Sequence, residues 1–324
     1  MNLEKKHPLV TIAIPTYNSV VSYSNDDNIL RKALSGYVEQ DYPNLEILIR
    51  DNNSQDNTFE ICKEYAEKFP IITLYQNEKN IGVYNSLSKL LNMAKGKYFI
   101  FASSDDFYSP SYIRKTVGML ESTSSAACQS FVKTIYKDSE QVEKYIDISR
   151  GINKEILTNI LFDRKNNDLE CTSLNNYIHA LLPLECAKII FRFPCMGYYE
   201  VLQPMLLVWM RGISVVKEVL YENTALKLFK ERYPGDIFTK QSTSFLFIFI
   251  NGIKVLVSMF YFWLTGAIDL KIRHVIYFWW KLFYFYFLNN FLNIIKVKVF
   301  NYCFSKFPWI INYYRILKKT WGSY

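Results

Sequence analysis

The stretch Val10-Thr-Ile-Ala-Ile-Pro-Thr-Tyr-Asn18 decides the fold class of this chain. Its first five residues form a short apolar run that Pro15 ends, and this pattern is typical of a strand buried on both faces. Further apolar runs of strand length occupy residues 45–49, 71–75 and 98–101. The sequence therefore predicts four buried strands in the first third of the chain.

Amphipathic segments separate these runs. Apolar side chains recur at helical spacing over residues 29–38, 59–69 and 83–94, and Gly96 is expected in the C′ position that closes the last of these helices. Strands that alternate with helices through short connections are typical of a mostly parallel sheet covered on both faces. The predicted fold class is α/β.

Polar clusters stand where the predicted strands end. They are Thr16-Tyr-Asn18, Asp51-Asn-Asn53 and Asp105-Asp106. Ligands of open parallel sheets bind outside the carboxyl ends of the strands, so we expect the functional site at this edge. Two adjacent carboxylates suit Mg²⁺ or Mn²⁺, which prefer oxygen ligands. A solvated turn before the helix near Pro110 is the alternative interpretation of the aspartate pair.

Rossmann dehydrogenases, P-loop enzymes and α/β-hydrolases are excluded because their motifs are absent. The chain has no G-x-G-x-x-G after its first strand, no G-x-x-x-x-G-K-[ST] and no G-x-S-x-G. It has three histidines, and its six cysteines form no C-x-x-C pair, so neither a histidine-based metal site nor a disulfide framework is expected. Residues 1–8 are charged and lack a secretory signal pattern, which favours a cytoplasmic location for the catalytic part.

Four segments resemble the family 2 glycosyltransferases. They are Thr11-Ile-Ala-Ile-Pro-Thr-Tyr-Asn18, Leu48-Ile-Arg-Asp-Asn-Asn-Ser-Gln-Asp56, Asn80-Ile-Gly82 and Phe101-Ala-Ser-Ser-Asp-Asp106 followed by Pro110. The resemblance covers about residues 8–115. It implies the GT-A fold, a nucleotide-diphosphate sugar as donor and, as is usual in the family, inversion of the anomeric carbon.

The resemblance also implies roles for individual residues. Pro15, Thr16, Tyr17 and Asn18 would cradle the nucleotide base. Asp51 would accept a hydrogen bond from the base, typically uracil, while Asn80 and Gly82 would line the nucleotide pocket; Asp105 and Asp106 would bind the divalent cation. Ser103 stands where the family's D-x-D motif has its first acid, and residues 84–87 lack the basic residue often found after Asn-x-Gly.

The acceptor side is represented by residues 197–202, where the family usually has a Glu-Asp pair. Glu200 is the candidate general base, since Val201 replaces its acidic neighbour. His179 is interpreted as a core histidine because apolar residues flank it, and a contact with the acceptor or the diphosphate is the alternative interpretation. The Q-x-x-R-W element of processive synthases is absent, which favours transfer of a single sugar.

Residues 240–324 differ in composition from the rest. They hold 11 lysines and arginines against one acid, Asp269, and 26 of the 55 aromatic residues, so the net charge of +8 arises from a +10 tail and a −2 body. We therefore predict a glycosyltransferase domain at 1–239 and a helical membrane-association region at 240–324. Two apolar windows, 245–264 and 275–295, are interrupted by Lys254 and Lys281, which favours helices lying in the membrane plane. A two-span hairpin and a soluble packing or dimer surface remain alternatives, the latter leaving a homodimer open; nucleic acid binding is not expected.

The sequence predicts an enzyme at the cytoplasmic face of the inner membrane, peripheral or monotopic. It would move one sugar from a nucleotide-diphosphate donor, a UDP-sugar, to a lipid-linked or saccharide acceptor in bacterial surface polysaccharide synthesis. Two alternatives are a nucleotidyltransferase, whose Gly-rich basic loop is absent, and a catalytically silent nucleotide-binding or scaffold protein of the same fold.

Overall fold

The computed structural model describes residues 7–22, 27–135, 140–143, 179–191 and 211–224, all within the unit Met1–Gly235. The described elements comprise nine strands and six helices: β1 Val10–Thr16, α1 Ser19–Ser22, α2 Asp27–Val38, β2 Leu45–Asp51, α3 Thr58–Lys68, β3 Ile72–Gln76, α4 Val83–Met93, β4 Tyr98–Phe101, β5 Phe107–Tyr108, α5 Tyr112–Thr123, β6 Ala127–Ile135, β7 Glu140–Glu143, β8 Leu181–Pro183, α6 Leu184–Ile190 and β9 Ile213–Thr224. The four strands and three helices predicted from periodicity all form, within two residues of the expected limits.

The strands form one mixed sheet in the order β3-β2-β1-β4-β8-β6-β9-β5, with β7 paired to β6. Strands β3, β2, β1 and β4 run parallel, whereas β8 is antiparallel to β4 and to β6. Every residue of β1 and β4 is buried, as expected for central strands covered on both faces. The predicted α/β class with flanking helices is confirmed.

Strand register sets the position of the polar clusters. Thr16 on β1 pairs with Asp51 on β2, and Asp51 pairs with Gln76 on β3. On the other side of β1, Ala13 pairs with Phe101, the last residue of β4. The carboxyl ends of these four strands therefore meet at one edge of the sheet, as the sequence predicts.

Strand β5 connects the second half of the sheet to this edge. It follows Asp106 directly and pairs antiparallel with β9, through Phe107 with Glu222 and Tyr108 with Tyr221. Strand β9 also runs parallel to β6 over most of its length. The chain around residue 221 is thus brought next to the aspartates although it is distant in sequence.

The expected C′ role of Gly96 is wrong. Helix α4 ends at Met93, and its C-cap is Ala94 in an extended conformation. Gly96 is instead required by close packing, since a Cβ there would lie 2.6 Å from the Tyr98 carbonyl oxygen and 2.7 Å from the Thr11 nitrogen. The Gly96 N–H donates to Thr11 Oγ1 at 3.0 Å and to Glu46 Oε1 at 3.1 Å, which ties the connection after α4 to β1 and β2.

Several predicted features lie outside the described residues. They are the acceptor-side segment 197–202 with Glu200 and the tail 240–324. The domain boundary at 239/240 stays a prediction. Among the residues that are described, no helix combines the length and apolar character needed to cross a bilayer.

Candidate active site

The loop after β1 is held to its neighbours by side-chain oxygens. Thr16 Oγ1 lies 2.7 Å from Ser19 Oγ, which in turn lies 2.8 Å from Ser104 Oγ. Thr58 Oγ1, at the start of α3, accepts the N–H groups of Ser19 at 2.8 Å and Val20 at 3.3 Å. This buried hydroxyl serves as the cap for helix α1, whose first N–H groups have no partner inside the helix.

Asn18 joins the loops after β1 and β2. Its backbone is left-handed, with φ of 46°, a conformation that asparagine tolerates better than most residues. Its N–H donates to Ser54 Oγ at 2.9 Å, and its Oδ1 accepts the Gln55 N–H at 2.7 Å. The predicted base-cradling segment, Pro15 to Asn18, therefore has a defined shape at the sheet edge, with Tyr17 partly exposed there.

Asp51 is the last residue of β2 and is 0 % exposed. Its Oδ1 accepts the Ser54 hydroxyl at 2.5 Å, and its Oδ2 accepts the Ser54 N–H at 3.0 Å and the Gln76 side-chain amide at 3.2 Å. The donors on Asp51 thus come from its own loop and from the end of β3. The Gln76 side chain, which makes the longest of these hydrogen bonds, is exposed, whereas Asp51 itself is buried.

An amide cluster, formed by Asn52, Asn77, Asn80 and Ser86, supports the predicted nucleotide pocket. Asn52 Oδ1 accepts the Asn77 side-chain amide at 3.0 Å and the Ile81 N–H at 2.9 Å, while Asn52 Nδ2 donates to Asn80 Oδ1 at 2.6 Å. Asn77 also donates to Ser86 Oγ at 3.0 Å. Asn52 thereby fixes the Asn80–Gly82 segment relative to β2.

Gly82 is required by its backbone conformation. Its φ is 83°, which residues with a Cβ rarely adopt, and its N–H donates to Asn80 Oδ1 at 2.9 Å. Buried Arg50 also supports the amide cluster, because its guanidinium donates to Asn77 Oδ1 at 3.1 Å. Burial lowers the pKa of the Arg50 guanidinium from its ordinary value.

The aspartate turn, residues 103–106, follows β4. Asp105 is 7 % exposed and Asp106 is 3 % exposed. The Ser103 hydroxyl donates to Asp105 Oδ1, and the Tyr221 hydroxyl donates to Asp106 Oδ2 at 2.7 Å. Where the family motif has its first acid, this chain therefore places a hydroxyl that hydrogen-bonds the next carboxylate.

Tyrosines surround this turn. The Tyr37 hydroxyl donates to the Ser103 carbonyl at 2.5 Å. Burial raises the pKa of Tyr37 well above its ordinary value, and the nearby charges of Asp106 and Asp105 raise it further. The Tyr37 phenol consequently keeps its proton at neutral pH and acts as a hydrogen-bond donor.

His179 lies beside the turn. Its Nδ1 is 2.9 Å from the Phe101 carbonyl oxygen, which can only accept, so Nδ1 carries the proton. Its ring packs against those of Phe101, at 5.1 Å between centroids, and Tyr221, at 5.9 Å. Burial lowers the pKa of His179, outweighing its bond to Phe101 and the charge of Asp105. The interpretation as a neutral, packed histidine agrees with this geometry, although its place next to Asp105 could not be read from the sequence.

The aspartate turn offers two hard oxygen ligands. Within the described part of the chain, no group of three or more His, Cys, Asp and Glu side chains comes together around a metal position. Mg²⁺ and Mn²⁺ are commonly held by one or two carboxylates and complete their coordination with phosphates and water. The donors present therefore fit a divalent cation that is shared with a phosphorylated substrate.

Other contributors to this edge carry no recognisable motif. The Gln76 side chain hydrogen-bonds Asp51, and that of Tyr221 hydrogen-bonds Asp106. The Asn77 N–H donates to the Asp51 carbonyl and the Ser86 N–H to the Gly82 carbonyl, while Tyr37 holds the Ser103 carbonyl. Asn77 and Gln76 immediately follow a predicted strand, a signal that could have found them. Tyr37 and Tyr221 carry no such signal because each lies in an ordinary helix or strand pattern.

Comparison with known proteins identifies the class to which this fold and site belong. The sequence model of the family described as glycosyl transferase family 2 matches residues 11–180, more than half of the 324 residues. The chain belongs to this family, which confirms the resemblance of its four motifs. Its mixed α/β sheet with flanking helices fits the GT-A fold.

Curated relatives match about a third of this chain. Glycosyltransferase GlyA of Streptococcus pneumoniae is 35 % identical over 104 residues, which are 32 % of this chain and 14 % of that protein. The uncharacterized glycosyltransferase RP339 of Rickettsia prowazekii is 34 % identical over 113 residues, which are 35 % of this chain and 32 % of that protein. The match thus spans a third or less of either relative.

Solved structures share the fold at low sequence identity. Residues 1–349 of S. aureus TarS, in a complex with UDP-GlcNAc, are 16 % identical with a TM-score of 0.57, covering 85 % of this chain and 72 % of that one. At this identity the likeness concerns the fold alone.

Proposed function

We propose that this chain transfers a single sugar from a UDP-sugar to a saccharide acceptor, with inversion at the anomeric carbon. The observation that carries the proposal is the meeting of Thr16, Asp51 and the Asp105–Asp106 pair at one sheet edge. A base-binding group and a metal-binding group are the two things that a nucleotide-diphosphate donor requires. The solved complex of TarS with UDP-GlcNAc supports UDP as the nucleotide of this fold.

In this proposal the loops after β1, β2 and β3 have one role and the aspartate turn has another. The loops after β1, β2 and β3 bind the nucleoside, with Asp51 accepting the base N–H and with Asn80 and Gly82 lining the pocket. Asp105 and Asp106 hold the Mg²⁺ or Mn²⁺ ion. When bound, the ion neutralises the charge that develops on the departing diphosphate.

The acceptor is proposed to be a lipid-linked saccharide of a bacterial surface polysaccharide pathway. Glu200 takes the proton of the attacking hydroxyl as general base. Residues 240–324, with a net charge of +10, attach the enzyme to the cytoplasmic face of the inner membrane, since anionic lipids attract basic segments. This arrangement brings a soluble donor and a membrane-anchored acceptor to the same site.

The central experiment measures UDP or GDP release by the purified full-length chain from a panel of UDP- and GDP-sugars, with Mn²⁺ or Mg²⁺. We expect release from at least one UDP-sugar, loss of release after chelation, and no detectable release by Asp105→Ala. Asp41→Asn is the matched control, because Asp41 is an exposed partner of Arg114 away from the sheet edge. Equal turnover by Asp105→Ala would contradict the metal assignment.

A second measurement concerns the membrane. The full-length chain is mixed with vesicles of anionic or of zwitterionic lipid and separated by flotation. We expect flotation with the anionic vesicles and its reversal by salt. Absence of flotation with either lipid would contradict membrane attachment and favour the soluble packing or dimer surface.

A chain that binds UDP but turns over no donor, even with lipid-linked acceptors present, would favour the catalytically silent protein.

A further inference from the structure

We propose that Tyr221 is a positioning residue that holds Asp106 in the orientation required for the divalent cation. The inference rests on the proposed metal-dependent function and names a residue to which neither the motifs nor the comparisons assign a role. Tyr221 lies on β9, 115 positions after Asp106.

The first observation is the hydrogen bond itself. The Tyr221 hydroxyl donates to Asp106 Oδ2 at 2.7 Å, and both residues are almost fully buried. A hydrogen bond to a carboxylate is stronger than one between neutral groups, and it is less exposed to competition from water when buried. It therefore restricts the side-chain rotation that would turn Asp106 away from a metal.

The second observation is that the backbone next to Asp106 is bound to the same part of β9. Strand β5 begins one residue after Asp106, and Tyr108 pairs directly with Tyr221. The Ser109 N–H donates to the Leu220 carbonyl at 2.8 Å. Residues 220–221 of β9 therefore hold the backbone next to Asp106 and also supply the hydroxyl that orients its carboxylate.

The third observation is ring packing. The rings of Tyr108 and Tyr221 stack at 4.6 Å between centroids with 15° between planes. Tyr108 also packs edge-on against Tyr112 at 4.7 Å and at a 44° tilt against Tyr37 at 5.5 Å. Because the Tyr37 hydroxyl holds the Ser103 carbonyl, this tyrosine cluster (Tyr37, Tyr108, Tyr112 and Tyr221) contacts both ends of the aspartate turn.

The ring and the hydroxyl of Tyr221 have different roles. The ring of Tyr221 serves packing, through its stack on Tyr108, while its hydroxyl serves Asp106. Replacement by phenylalanine keeps the ring and removes the hydroxyl alone. Groups that orient metal ligands from behind typically change metal affinity by about 10- to 100-fold when they are removed, and we expect a loss in this range for Tyr221→Phe.

The test titrates Mn²⁺ into the full-length chain at a fixed UDP concentration and follows free Mn²⁺ by its electron paramagnetic resonance signal. Tyr112→Phe is the matched control. It removes an equally buried hydroxyl from the same cluster, one whose partners are Gln129 Oε1 at 3.1 Å and the His179 carbonyl at 3.4 Å instead of an aspartate. We expect Tyr221→Phe to bind Mn²⁺ about 10- to 100-fold more weakly and Tyr112→Phe to bind it as the original chain does.

A double-mutant cycle identifies the route of the effect. If Tyr221 acts through Asp106, Tyr221→Phe costs no further Mn²⁺ affinity in an Asp106→Asn background. UDP affinity without metal, measured by calorimetry, should be the same in all these variants.

Four outcomes would overturn the proposal: unchanged Mn²⁺ affinity in Tyr221→Phe, an equal loss in Tyr112→Phe, additive losses in the cycle, or a Tyr221→Phe chain that no longer folds, which would assign the hydroxyl to folding. An original chain that binds no Mn²⁺ would instead contradict the metal-dependent function on which the inference rests. Failure of the inference and failure of the proposed function are therefore distinguishable.

Discussion

The two sides of the site are built from different kinds of contact. On the nucleotide side, which comprises the loops after β1, β2 and β3, short amide and hydroxyl side chains bind one another, as Asn52 does with Asn77 and Asn80. On the metal side, the aspartate turn is held by the hydroxyls of Tyr37 and Tyr221, whose rings belong to a packed aromatic cluster. The first side depends on local polar partners and the second on long-range packing.

The nucleotide side and the metal side draw on different parts of the chain. The amide cluster comes from the first 86 residues and lies within the parallel part of the sheet, while the loop after β1 also contacts Ser104 of the aspartate turn through Ser19 Oγ. The aspartate turn needs β9, the last described strand. Substitutions should therefore divide into those that weaken nucleotide binding and those that weaken metal binding, and the predictions below test that division.

The largest effect is expected for Asp105→Asn. The change keeps the shape of the side chain and removes its charge, so turnover should fall by about 100- to 1,000-fold, the range found when one preorganised electrostatic contact to the developing charge is lost. UDP affinity measured without metal should not change. Initial rates of UDP release and calorimetry with UDP check the two halves of the prediction, with Asp41→Asn as the control.

Thr58→Val tests whether the nucleotide side also contributes to stability. Valine has nearly the same shape, but the N–H groups of Ser19 and Val20 lose their acceptor while remaining buried. The free energy of unfolding should fall by about 1–3 kcal/mol, as measured by urea denaturation.

Thr73→Val is the control for this substitution, since Thr73 is an exposed threonine on β3. Equal stability of the two variants would mean that the Thr58 hydroxyl contributes no net stability.

Asn52→Ala should weaken UDP binding about tenfold, because it removes the side chain that fixes Asn80 and the Ile81 N–H. Mn²⁺ affinity should stay unchanged, which distinguishes this variant from Tyr221→Phe. Asn44→Ala is the matched control: Asn44 is exposed, lies just before β2 and donates to the His7 carbonyl. A simultaneous loss of Mn²⁺ affinity in Asn52→Ala would break the division between the two sides.

The smallest effect is expected for Gln76→Ala. Gln76 is exposed and makes one long hydrogen bond to a carboxylate that Ser54 already satisfies, so UDP affinity should change by less than about threefold. A tenfold loss, measured by calorimetry, would instead show that the Gln76 amide binds the base directly.

Much of the fold could be predicted because each element carries its own periodic signal. The alternation of buried strands with amphipathic helices predicted β1 to β4 and the helices between them. Asp51 and Asp105 could be located because each lies within a few residues of the end of an apolar run. Gly96 was misinterpreted because its requirement arises from contact with Thr11 on another strand, and a helix pattern contains no information about that contact.

The sequence by itself determined that polar residues would gather at one sheet edge. Parallel strands place their carboxyl ends together, and the apolar runs are enough to identify such strands. Only the tertiary structure decided which side chains orient those polar residues. The hydrogen bond from Tyr221 to Asp106 depends on β9 lying beside β5, and this order of strands follows from the packing of the whole sheet. A hydrophobic period describes which face of an element is buried, but it does not specify which distant element buries it.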